Sequence, residues 1–75
     1  MKISDLRVGS IVLVEFDSSA DPWQCLVLEV QQDDDDPQAN WAEFFDLKMS
    51  VKFELNRLQI VETVRPASSV VWKFN

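Results

Sequence analysis

Two apolar runs stand six residues apart near the start of the chain, and they constrain the fold more than any other feature. The first is Val8-Gly9-Ser10-Ile11-Val12-Leu13-Val14-Glu15-Phe16, entered through the only glycine in the protein. The second is Trp23-Gln24-Cys25-Leu26-Val27-Leu28-Glu29-Val30. Both are rich in β-branched and aromatic residues, so they predict the first two strands of a small sheet. Gly9 falls where a strand begins after a tight turn, a position at which positive φ is cheapest for glycine. In the first strand Val12, Val14 and Phe16 share one face, while Ile11, Leu13 and Glu15 share the other. Two mostly apolar faces fit a strand that bends and serves two sides of a small barrel.

Further strands are expected downstream. Asp17-Ser18-Ser19-Ala20-Asp21-Pro22 reads as a loop. Gln31 to Asn40 holds no large apolar side chain and includes four adjacent aspartates, Asp33 to Asp36, which predicts a solvated hairpin connection. Trp41 to Leu47 reads as a third strand, with helix as the competing reading because Trp41, Phe44, Phe45 and Lys48 also fit helical spacing. Met49, Val51, Phe53 and Leu55 alternate with Ser50, Lys52 and Glu54, the pattern of a half-buried fourth strand. Asn56-Arg57-Leu58 predicts a single 3₁₀ turn, and Gln59 to Val64 a fifth short strand. Before the first strand, Ile3 and Leu6 are spaced to form one helical turn capped by Ser4.

Arg65-Pro66-Ala67-Ser68-Ser69 reads as a break. After it, Val70, Trp72 and Phe74 would share one face of a C-terminal apolar segment. That segment either closes the sheet as a sixth strand or docks on a partner. The expected organisation is a barrel domain over residues 1–64, followed over 65–75 by a linker and this tail.

Length and charge narrow the function classes. A chain of 75 residues buries only about 60% of the surface its unfolded form exposes, so it forms one small domain of marginal stability. The net charge is −6, and it is unevenly spread: residues 1–46 carry eleven acids against Lys2 and Arg7, whereas the remainder is net basic. An acidic surface repels phosphate, so direct nucleic-acid binding is not expected, and a partner with a basic surface is the better match. The apolar runs are far too short to span a membrane. Met1 to Asp5 lacks the apolar stretch of a secretory leader, which predicts a cytoplasmic protein.

Reactive chemistry is sparse. Histidine is absent, which removes the commonest general base and metal ligand. Cys25, the only cysteine, sits among Leu26, Val27 and Leu28, the setting of a buried inert thiol. Counted from Asp33, a calcium loop would need glycine at the sixth position and Glu at the twelfth, where this chain has Gln38 and Phe44. No cofactor, metal site or catalytic constellation is therefore expected.

At Leu6-Arg7-Val8-Gly9-Ser10-Ile11-Val12 the chain resembles the entry of Tudor-type and related Src-homology-3-like barrels, in which a Leu-x-x-Gly-x-x-Val stretch opens the first strand. The resemblance continues through the aromatic and apolar strand Trp23 to Val30 and ends at Asn56-Arg57-Leu58, covering residues 6–64. It implies an all-β, five- to six-stranded antiparallel barrel. It also implies an aromatic cage for methylated Arg or Lys, matched here by Phe16, Trp23 and Phe44 with an acid such as Asp46. The chain departs from that pattern in having no tyrosine, and in having Phe45-Asp46-Leu47 where an Asp-Tyr-Gly-like turn is expected.

The resulting expectation is a non-catalytic protein-interaction or assembly module. Its partner-binding residues would be Phe16, Trp23, Phe44, Trp72, Phe74 and the acids Asp33, Asp34, Asp35 and Asp36. The occupant would be a basic protein surface, or a second copy held through the C-terminal segment. The alternative is an acidic inhibitor that imitates the charge of nucleic acid, which presents one phosphate per roughly 1.7 Å of duplex. Such an inhibitor would suit an accessory protein of a bacterial virus.

Overall fold

A computed structural model describes residues 1–16 and 21–67, so the expectations for Trp72, Phe74 and the tail lie outside the described residues. Five strands form one antiparallel sheet: β1 (Ile11–Val14), β2 (Trp23–Gln31), β3 (Trp41–Asp46), β4 (Val51–Asn56) and β5 (Val64–Pro66). Their order is β4-β3-β2-β1-β5, a meander whose last strand returns beside the first. Among the described residues β4 does not pair with β5, so the sheet is open and a closed barrel is not formed.

The entry to β1 is a tight turn. The Ser10 amide donates to the Arg7 carbonyl at 3.1 Å, and Gly9 has φ +89°. Positive φ at the third turn residue is what a type II turn demands and what glycine supplies without strain. Upstream, a single 3₁₀ turn (Ile3–Asp5) does bury Ile3 and Leu6, but Lys2 occupies its N-cap and Ser4 does not cap it.

The inner face of the sheet carries the core. Val12, Val14, Cys25, Val27, Ala42, Phe44, Leu55 and Val64 are buried there with Ile3, Leu6 and Ile60. In β3, Ala42, Phe44 and Asp46 point inward, so the strand reading of this segment holds over the helical one. β2 carries a bulge between Val27 and Glu29, where Leu28 is the extra residue. The bulge changes the parity of the strand, so Val30 joins Cys25 and Val27 on the inner side, opposite Ala42. Leu13 is also fully buried although it lies on the other face, and β1 is thus covered on both sides.

The segment after β4 corrects the sequence reading. Instead of a 3₁₀ turn and a strand over Gln59–Val64, residues Arg57–Thr63 form an α-helix, α1. Asn56 Oδ1 accepts from the Gln59 amide at 2.9 Å, and Gln59 Oε1 accepts from the Asn56 amide at 3.0 Å. This reciprocal capping box satisfies two donors that a helix start leaves open. Ile60 is the buried residue of α1 and belongs to the core cluster. The fifth strand follows only at Val64–Pro66, so Arg65 and Pro66 lie in the sheet rather than in a break. Proline is tolerated there because β5 is an edge strand.

Candidate functional site

At one end of the sheet, β1 finishes, β2 begins, and β3 turns into β4 through Leu47–Ser50. The Leu47 amide donates to the Gln24 carbonyl at 3.0 Å, which ties the turn to the start of β2. Phe16, Trp23 and Phe53 all continue the inner face toward this end, where the core opens to solvent. The Phe16 and Trp23 rings meet edge to face at 4.9 Å, and each lies 5.9 Å from Phe53. Phe53 in turn stacks on Phe44 at 5.6 Å. These separations are those of packed aromatic pairs. They form a column from fully buried Phe44, through half-buried Phe53, to exposed Phe16 and Trp23.

Around the column the surface stays apolar. Phe16, Trp23, Leu47, Met49 and Val51 are between 40% and 64% exposed. A groove of about 750 Å³ runs between Pro22, Trp23, Leu47, Met49 and Val51, with Asp21 and Lys48 on its lining. A shallower hollow of about 520 Å³ lies between Phe16, Trp23, Val51, Phe53 and Leu55, with Glu54 beside them. Trp23 and Val51 line both concavities.

Two residues expected in this site are used otherwise. Phe44 is fully buried and supports Phe53 from below, so no partner reaches it. Asp46 is buried as well. Its Oδ1 accepts from the amides of Lys48 at 2.9 Å and Met49 at 3.3 Å, while its carbonyl accepts from Ser50 at 2.8 Å. The carboxylate shapes the turn that presents Met49 and is not a cage acid. Ser50 completes that turn with φ +57°, an uncommon conformation for a residue other than glycine.

Asp33 to Asp36 occupy the opposite end of β2 and are exposed, as their composition predicts. They are also organised. Asp33 Oδ1 accepts from the Asp35 amide, and Asp36 Oδ1 accepts from Gln38 at the start of a 3₁₀ turn, Pro37–Ala39. Buried Asn40 accepts from the Asp33 amide through its side chain and from the Arg57 amide through its carbonyl. The acidic loop is thereby fastened to the start of α1. Phe16 and Trp23 therefore do not share one surface with Asp33 to Asp36; a nine-residue strand separates the two groups.

Cys25 is fully buried, and burial, reinforced by the Asp46 carboxylate, pushes its thiol up to about 12. A thiol so poised is a packing group. Among the described residues no three His, Cys, Asp or Glu side chains converge as a metal ion would require. Also among the described residues, no helix is long and apolar enough to cross a membrane.

Phe53, Leu47 and Met49 are not among the candidates that the sequence pattern singles out. Phe53 was recognisable as inward-facing, and a four-residue turn closing Asp46 on Val51 would have set it opposite Phe44. Comparison with protein-family models, curated proteins and solved structures yields no match to this chain.

Proposed function

We propose that this domain is a non-catalytic protein-interaction module that captures its partner at the aromatic end of the sheet. The observation that carries the reading is the convergence of Phe16, Trp23, Leu47, Met49 and Val51, all substantially exposed, around two concavities that share Trp23 and Val51. Apolar side chains gathered this way are the ordinary mark of a contact surface, whereas single exposed ones are not. The edge-to-face packing of Phe16, Trp23 and Phe53 fills the ring faces with one another. An apolar anchor seated in the groove is thus a better occupant than a methylated cation held inside a cage. Asp21 and Glu54 at the rim favour basic residues beside that anchor. A curled Src-homology-3-like or Tudor-type sheet is the fold we assign to the module. Its support is the meander order, the return of β5 beside β1 and the helical segment between β4 and β5.

Selection from a displayed random-peptide library tests this reading. Peptides pairing a large apolar residue with Lys or Arg should be enriched, should shift the amide resonances of Trp23, Met49 and Val51, and should lose binding to Trp23→Ala. Selected peptides that map to the acidic loop, or bind Trp23→Ala equally well, would overturn it.

A second reading, the acidic mimic of nucleic acid, draws on a separate observation. Glu29, Glu43 and Glu54 stand directly opposite one another across β2, β3 and β4, an in-line row of carboxylates on the outer face. Competition between this protein and duplex DNA for a basic DNA-binding enzyme tests it. Unchanged DNA binding at low salt would exclude it.

A further inference from the structure

The sheet ends on β4, an edge strand of six residues that no described strand covers. An edge of this length offers a row of amides and carbonyls to any strand that can align with it. On its outer face β4 carries Lys52 and Glu54, and on its inner face Val51, Phe53 and Leu55. We infer that β4 pairs antiparallel with β4 of a second copy of this chain, about a twofold axis at Phe53, to form one continuous sheet.

The charges select that register. A twofold axis perpendicular to the sheet preserves each residue's face, so only registers that match outer residues with outer residues are open. Centring the axis at Lys52 would set the two lysines against each other, and centring it at Glu54 would set the two glutamates against each other. Like charges directly opposite destabilise a ladder. Centring it at Phe53 sets Lys52 against Glu54 of the second copy, and Glu54 against its Lys52. It also joins the two Phe53 side chains and places Val51, which is exposed, against Leu55.

The row Glu29–Glu43–Glu54 gives the pairing a further reason. Within one chain this row runs out to the edge of the sheet with a glutamate at its end. In the joined sheet, Lys52 of the second copy stands next in line and supplies the missing cation. The same contact brings the two aromatic columns together through Phe53 and places Val51, Phe53 and Leu55, which line the shallower hollow, at the seam.

Sedimentation of the full chain over a dilution series, with circular dichroism to monitor folding, tests the inference. Wild type should pass from dimer to monomer on dilution, and hydrogen exchange of the β4 amides should speed up as it does. Lys52→Glu and Glu54→Lys should each be folded monomers when alone. Mixed together they should associate, because every facing pair is then opposite in charge, and the double variant K52E/E54K should dimerise again. Wild type that stays monomeric with unprotected β4 amides at high concentration would overturn the inference. So would a dimer that both single variants retain, including one lost only in Trp72→Asp/Phe74→Asp, which would assign association to the C-terminal segment.

Discussion

Cys25 and Asp46 stand opposite one another across β2 and β3, and both are buried. A thiol beside a carboxylate in the core resists ionisation on two counts, loss of solvent and like charge. Thiol reagents should therefore label Cys25 only as fast as the domain opens. The sign of the pH dependence follows. A thiol raised from 9.0 to about 12 by folding contributes stability that is complete below pH 9 and is lost as pH rises through the folded value. Denaturant midpoints of wild type should fall between pH 9 and 11 more steeply than those of Cys25→Ala. Rapid native-state labelling at neutral pH would contradict the burial of this residue.

Asp46 serves the turn through accepted hydrogen bonds, so the chemistry of its replacement matters more than its size. Asp46→Ala strands the Lys48 and Met49 amides and should cost about 1–3 kcal/mol. Asp46→Asn keeps an acceptor in place and should cost less. Equal losses in urea titrations would mean that the charge, and not the turn, is what the fold uses.

Gly9 and Ser50 make opposite predictions from the same backbone region. A Cβ at Gly9 would meet nothing within 4 Å, so only the backbone opposes a side chain there. Gly9→Val should cost about 1–3 kcal/mol. Ser50, at φ +57°, already bears that strain, and Ser50→Gly should stabilise by about 0.5 kcal/mol. Thermal melts of the two variants should move in opposite directions.

Glu43 has Glu29 on one side and Glu54 on the other. Glu43→Lys converts two repulsions into two attractions, a gain of about 1 kcal/mol. Because the row faces solvent, most of the gain should vanish in high salt. A melting shift that is the same at low and high ionic strength would show that charge is not its origin.

The acidic loop separates the side chain's charge from its capping role. Replacing Asp33 to Asp36 with asparagine keeps the acceptors for Asp35 and Gln38 and should leave the melting temperature unchanged or higher. Alanine at Asp33 and Asp36 removes those acceptors and should lower it slightly.

Much of the sheet was legible because alternation is a local signal. β2, β3 and β4 lie within one or two residues of their expected bounds, and the period of two groups Ala42, Phe44 and Asp46 on one face without telling that this face is the inner one. The helix was missed because Gln59–Val64 is short and carries Ile60, Val61 and Val64, residues that also favour strands. One signal in the sequence points to it: Asn56 with Gln59 three positions on, the spacing of a capping box. The open sheet was not legible, since closure depends on accumulated twist that no residue pattern states. The role of Asp46 was hidden for a similar reason, because its partners are amides of a turn whose length emerges only from pairing.

Leu28 determines more than its own place. Without it, Cys25, Val27 and Val30 would alternate with Gln24, Leu26 and Glu29 along an unbroken ladder, and every inward residue would keep its face. The domain would lose a bend rather than a contact. The bulge lies in the strand that carries Trp23, which packs on Phe53 and with it lines the shallower hollow. The course of β2 toward its aromatic end thus depends on a count of residues in mid-strand, away from that end. Removing that residue would change the course of the strand while the inward set Cys25, Val27 and Val30 stays the same.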